Sequence, residues 1–269
     1  MSELSVILES ESNTTPEALF APVLGRIYAS EHFPEILHDE AALQLKERLP
    51  ENVRDAEVPQ YSLLAVAVRS ANMDRFIKTF IKHNPDPVII EFGCGLETTF
   101  FRNDDGETIW YEIDVPAVMA YRREYLPENE RSLLIEAGTG KEDWFRRIRR
   151  EHPESPILVV AAGLFYYLEE ETVLHLIHEL QHCGGMELVF DISNKSGAKA
   201  IAKKNGEGKS YFAVDDTADL IKSIGGGALV RKQEKYYAHV EKKGLERGTA
   251  RNMKMSDKFN MLKVIQLKL

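Results

Sequence analysis

Cysteine is scarce in this chain: Cys94 and Cys183 are the only two among 269 residues. At most one bridge could form, so no disulfide framework holds the fold, and this usage predicts the reducing cytoplasm. No basic residue stands between Met1 and Ser12, where Glu3, Glu9 and Glu11 fall, and no apolar run follows. That stretch lacks the features of a secretory signal. No apolar segment reaches the roughly 20 residues a membrane-spanning helix needs, so no membrane partner is expected. Basic charge is in deficit, with 34 Lys and Arg against 43 Asp and Glu, a formal net charge of -9. Such a surface repels a phosphate backbone, which argues against nucleic acid and for a small molecule as partner. There is also no internal repeat and no low-complexity tract.

What is present is a 43% apolar composition, enough for one sizeable α/β core. It falls into two rhythms, with a boundary near residue 84. Residues 1–84 read as an N-terminal helical cap. Asp39 can cap one helix through Ala41, Leu43, Leu45 and Leu49, and Pro59 opens a longer one that Asn84-Pro85-Asp86-Pro87 stops. Residues 85–269 alternate short apolar runs with helical patterns. Val88-Ile89-Ile90, Thr108 to Ile113, Leu133-Leu134-Ile135, Ile157 to Val160 and Glu187 to Phe190 read as strands. Helical patterns run from Pro116 to Tyr125, Trp144 to Arg150 and Glu170 to His182. This is the rhythm of a parallel sheet. Lys195 to Lys209 reads as a helix end and loop, Asp216 to Ile224 as a short helix, and Ala228 to Tyr237 and Met261 to Leu269 as two last strands.

The first strand runs into Glu91-Phe92-Gly93-Cys94-Gly95-Leu96-Glu97-Thr98. Two glycines at this spacing let the backbone turn sharply and approach a ligand, although a tight turn without a ligand reads the same way. The third glycine of the dinucleotide fingerprint is missing, since Thr98 stands there. Asp114 ends the second strand 21 residues after Gly93. An acidic residue there accepts hydrogen bonds from the ribose of NAD or of S-adenosylmethionine; it can equally cap the helix that Pro116 begins. Arg69 lies on an apolar helix face with Val66, Met73 and Phe76, and so requires an anionic partner: a ligand carboxylate or an internal Asp or Glu. Tyr166 and Tyr167 follow the fourth strand, where they can border a ligand crevice or simply pack. His175, His178 and His182 share a helix face that is read as solvated rather than as a metal site. Arg146 to Arg150 is read as an exposed basic face, and nothing marks Cys94 as a nucleophile.

Together these stretches resemble the leucine carboxyl methyltransferase superfamily, and within it the O-methyltransferases of the tetracenomycin polyketide type. The resemblance is carried by Val66-Ala67-Val68-Arg69, by Glu91 to Thr98, by Trp110 to Pro116, by Gly163 to Glu171 and by Phe212 to Asp216. It implies a Rossmann-like class I methyltransferase fold, a seven-stranded mostly parallel sheet with helices on both faces, its last two strands a hairpin. It implies S-adenosylmethionine as cofactor and methyl transfer to oxygen. Arg69 would hold the methionine carboxylate; Glu91, Gly93, Cys94 and Gly95 would surround the methionine and ribose; Asp114 would bind the ribose. Gly138 and Thr139 would face the adenine, and Ala162 would border the cofactor. The chain departs from the family pattern at Ala162 and Lys141, where acidic residues are usual.

The expected reaction is in-line displacement at a sulfonium methyl, for which the protein supplies alignment and a dry site. A carboxylate acceptor needs no base, whereas a phenol benefits from one. No catalytic residue can be assigned; Tyr28, His32 and Tyr166 are candidates for the acceptor pocket. Two other readings share the glycine turn and Asp114: an NAD(P)-dependent oxidoreductase, and a non-catalytic S-adenosylmethionine-binding protein, which Ala162 keeps open.

Overall fold

The helix expected after Pro59 forms as Gln60–His83, with Leu64, Ala67, Val68, Phe76 and Ile77 on its buried side. We describe residues 16–137, 144–204 and 211–269 in a computed structural model of the chain. The helices before it are α1 (Pro16–His32), α2 (Glu40–Gln44) and α3 (Glu51–Arg54), which makes Gln60–His83 α4. Asp39 caps α2 by accepting from the Ala42 amide at 2.9 Å, as its position predicts. Where α1 crosses α4, a Cβ on Gly25 would stand 2.7 Å from the Leu63 carbonyl oxygen, so only glycine permits that approach.

Five strands then alternate with helices: β1 (Val88–Phe92), α5 (Thr99–Asn103), β2 (Ile109–Asp114), α6 (Pro116–Tyr125), β3 (Ser132–Glu136), α7 (Trp144–Glu151), β4 (Ile157–Ala161), α8 (Glu170–Cys183) and β5 (Met186–Ser193). The chain ends with α9 (Lys195–Lys204), α10 (Thr217–Ile224), β6 (Leu229–Lys235), α11 (Arg247–Lys258) and β7 (Leu262–Lys268). Among the described residues the strands form one seven-stranded sheet in the order β3-β2-β1-β4-β5-β7-β6. The first five are parallel; β7 runs antiparallel between β5 and β6.

The strand period of two divides the core. Val88, Ile90 and Phe92 face one layer with α6, α7, α8 and α10; Ile89, Leu158 and Val189 face the other with α4 and α11. The cap shares this core: Phe20, Val23 and Leu45 bury with Phe92, and Phe20 packs edge-on against Tyr125 of α6 at 5.0 Å.

Two local expectations change, and one short helix is new. Lys195 to Lys204 is a full helix rather than a helix end, because Asn194 accepts from the Gly197 amide and Asp215 from the Lys195 amide at its start. The short helix α5 follows the glycine turn directly, with no capping side-chain bond to announce it. Within Arg146 to Arg150, Arg149 turns inward to donate to the carbonyls of His152, Ser155 and Gly185, tying down the loop before β4.

Candidate functional site

The strand order reverses between β1 and β4, and in open α/β sheets ligands bind at the carboxyl ends of the strands there. A cleft of about 410 Å³ opens at that place. Gly93 to Glu97 from the end of β1, Asp114 from β2 and Ala162 to Leu164 from β4 form its floor. Leu19, Pro22 and Leu24 of α1 and Leu63, Val66 and Arg69 of α4 form its opposite wall. A second groove of about 660 Å³ shares Leu24, Val58 and Leu63 with it and adds Ile27, Leu49 and Pro59.

The glycine turn is held by hydrogen bonds. The Gly93 and Cys94 amides donate to the Ile113 carbonyl, and the Gly95 amide donates to Asp114 Oδ2 at 2.8 Å. Gly93 and Gly95 have φ of +73° and +50°, conformations that suit glycine. A Cβ on Gly95 would meet only Leu19 at 4.0 Å, so the space above it belongs to the cleft. The second oxygen of Asp114 accepts from the Val115 amide at 2.8 Å. Asp114 therefore braces the turn; Val115, not Asp114, is the capping position of α6. Burial pushes the Asp114 carboxyl up to about 6, against the two amide bonds that favour its charge.

Arg69 has the internal partner, and it also faces the cleft. Its Nε lies 3.2 Å from Asp191 Oδ2 at the end of β5, while its side chain keeps 20% exposure and lines the cleft. Burial opposes the guanidinium charge, but Asp191 together with Tyr236, Tyr166 and Tyr167 more than offsets this and raises its pKa. Asp191 also accepts from the Gly163 amide at 2.7 Å. Gly163 has φ of +69°, and a Cβ there would fall 2.0 Å from Arg69 Nη1. The glycine after Ala162 is thus the seat of the guanidinium. Nothing in the sequence linked Arg69 to Asp191, which lies 122 residues away.

Gly93, Cys94, Gly95, Asp114, Arg69 and Ala162 all border the cleft. Glu91 is not among the residues that line it. It points beneath the turn, 1% exposed, where it accepts from Thr99 Oγ1 at 2.7 Å and leaves Oε2 unbonded. Burial and the nearby Glu112 charge push its pKa up to about 8. Gly138 and Thr139, with Lys141, lie outside the described residues. Cys94 is buried, and burial drives its thiol pKa well up, which fits a packing group and not a nucleophile.

The acceptor-pocket candidates also change. Tyr166 is buried, and desolvation together with the Asp191 charge holds its phenol protonated far above the usual range, so it cannot serve as a base. Tyr167, not Tyr166, borders the cleft. His32 is exposed and lies tilted against Tyr28, ring centroids 4.7 Å apart, and Tyr28 lines the second groove. His178 bonds to the Ile224 carbonyl at 2.9 Å, whereas His182 pairs with Glu179 at 3.5 Å. Among the described residues no group of His, Cys, Asp and Glu is arranged to hold a metal.

This topology, with its cleft at the reversal point, is that of a Rossmann-like class I methyltransferase. Magnesium protoporphyrin IX methyltransferase from Synechocystis PCC 6803 has a similar fold, with TM-score 0.50 and 13% identity, over 90% of this chain and 97% of that one. The methyltransferase domain of the bacterial protein CtHen1-CN is similar with TM-score 0.51 and 13% identity, over 76% of this chain and 100% of that one. The leucine carboxyl methyltransferase profile matches residues 7–181. The chain belongs to that family, whose methyl donor is S-adenosylmethionine. It is 30% identical over 177 residues to the tetracenomycin polyketide synthesis O-methyltransferase of Streptomyces glaucescens, which is 65% of this chain and 64% of that relative. The alignment thus spans somewhat under two thirds of the relative's length.

Proposed function

We propose that this chain transfers a methyl group from S-adenosylmethionine to an oxygen of a small, largely apolar molecule of polyketide type. The observation that carries this reading is the meeting of Arg69, the Gly93–Gly95 turn and Asp114 on one cleft. The residues fit the cofactor: a cationic face for the methionine carboxylate, an open surface over Gly95, and a carboxylate with acceptor capacity for the ribose. When bound, the cofactor supplies an electrophilic methyl on a sulfonium. The protein's share is to align the acceptor and exclude water, for which the apolar wall of Leu19, Leu24, Leu63 and Leu164 is suited.

Among the described residues lining the cleft there is no histidine. Glu97 is bonded by Arg26 at 2.6 Å and by Ser70 at 3.2 Å, and Asp114 by two backbone amides. Both carboxylates among the described residues lining this cleft are thus engaged, which supports an acceptor already ionised at neutral pH, a carboxylate over a phenol, while Glu57 lines the adjoining groove. The groove shared through Leu24, Val58 and Leu63 offers the acceptor its place. Family membership displaces the oxidoreductase alternative.

Calorimetric titration with S-adenosylmethionine and S-adenosylhomocysteine, with NAD and NADP as controls, tests the cofactor. The expected result is binding of both sulfur ligands, weakened about 10- to 100-fold in Asp114→Ala by loss of charge-assisted hydrogen bonds. Incubation with labelled S-adenosylmethionine and paired aromatic carboxylates and phenols tests the acceptor. Turnover of phenols alone would overturn the carboxylate assignment, and bound cofactor without turnover on any acceptor would favour the non-catalytic reading.

A further inference from the structure

Three consecutive carbonyls of the glycine turn are held by two buried arginines that approach from different parts of the fold. Arg122 of α6 donates from Nη1 to the Gly95 carbonyl at 2.9 Å and to the Glu97 carbonyl at 2.8 Å. It is anchored by Glu112, from Nε to Oε2 at 2.9 Å and through a second bond from Nη2 to Oε1. Arg26 of α1 donates from Nη2 to the Leu96 carbonyl at 2.7 Å and from Nη1 to Glu97 Oε1 at 2.6 Å. Its Nε lies 3.2 Å from Asp39 Oδ2, and that carboxylate is shared with Arg102 and Thr98. Arg26 is 0% exposed and Arg122 is 1% exposed.

The two arginines differ in what else they hold. Arg122 belongs to the βαβ unit that makes the turn. Arg26 belongs to the helix whose Leu19, Pro22 and Leu24 are the far wall of the cleft. The turn itself has two residues in left-handed conformations, with only the Cys94 side chain between them. Buried carbonyls must find donors, and a planar guanidinium serves several at a fixed spacing.

We propose that Arg26 is a positioning residue for the cofactor: one side chain sets both the path of the glycine turn and the placement of the cap wall, so the two halves of the cleft form together. Affinity as a readout rests on the cofactor assignment above; amide exchange of the turn does not. A role confined to stability would leave binding by the folded protein unchanged. A positioning role weakens binding and loosens the turn in molecules that remain folded.

The test compares Arg26→Met and Arg26→Lys with Arg48→Met. Arg48 also joins cap to core, through the carbonyls of Tyr125 and Glu124, but does not touch the turn. S-adenosylhomocysteine affinity is measured by calorimetry below the melting transition, and hydrogen exchange of the peptide covering residues 91–98 is followed without ligand. Arg26→Met is expected to raise the Kd at least tenfold and to speed exchange at Gly93, Cys94 and Gly95, with Arg26→Lys between it and wild type. Arg48→Met is expected to lower the melting temperature and change neither readout. A folded Arg26→Met with a Kd within threefold of wild type and unchanged exchange overturns the proposal. If Arg26→Met does not fold, Glu97→Gln, which loosens the grip on Arg26, is read in the same way. If wild type fails to bind S-adenosylhomocysteine, the cofactor assignment falls, and the exchange data alone decide the role of Arg26.

Discussion

Burial brings the protonation of Asp114 nearer neutrality than that of an exposed aspartate, so the proposed cofactor site is expected to weaken on the acid side. Ionised, Asp114 can accept from a ribose diol while it still accepts from the Gly95 and Val115 amides. Protonated, it loses acceptor capacity and the charge that strengthens those bonds. Burial has moved its pKa from 3.8 up to about 6. S-adenosylhomocysteine affinity is therefore expected to fall as pH drops through about 6 and to level off above about 7. Calorimetry from pH 5 to 8 measures this, and Asp114→Asn should bind more weakly with a flat profile. A wild-type profile without any break near 6 would refute it. Asp114 was legible because a strand end and a glycine turn locate it in one dimension. Asp191 was not, because its partnership with Arg69 and Gly163 exists only once β4 and β5 lie side by side.

At the scale of elements, the contact of α1 with α4 places the cap over the cleft. The 2.7 Å approach of a Gly25 Cβ to the Leu63 carbonyl leaves no room even for a methyl group. Gly25→Ala is expected to force the helices apart and destabilise the fold by about 1–3 kcal/mol, in spite of alanine's better helix propensity. Urea unfolding measures the change; a stabilised Gly25→Ala would show that the helices can part freely. Most elements could be read from the sequence because amphipathic spacing and caps are local. The exceptions have physical causes. α5 is too short to show a period. Lys195 to Lys204 hides its start behind an Asn cap followed by lysines and glycine, a pattern that also suits a loop.

Over the whole molecule, the buried carboxyl of Glu91 couples stability to pH. In the folded state it keeps its proton up to about pH 8, whereas at its ordinary value of 4.5 the unfolded chain has already released it. The folded state thus binds more protons between those values. The contribution of Glu91 is full below about pH 4.5 and is lost as pH rises toward 8. Glu91→Gln can keep the acceptor for Thr99 Oγ1 and has no proton to lose. Between pH 5 and 8 it should lack a slope in unfolding free energy that wild type shows, on the order of a few kcal/mol across the window. Parallel profiles for the two proteins would show that Glu91 does not titrate there. The same residue marks where sequence reading ends. By itself the sequence determined the strand and helix order, the glycine turn and the acidic strand end, because periodicity, caps and turn chemistry act between near neighbours in the chain. Only the tertiary structure decided that Glu91 is buried against Thr99, that Arg69 is seated on Gly163 against Asp191, and that Arg26 reaches across from the cap to the turn. Each of those depends on which face of a strand or helix meets which distant residue, and packing settles that only when the layers close.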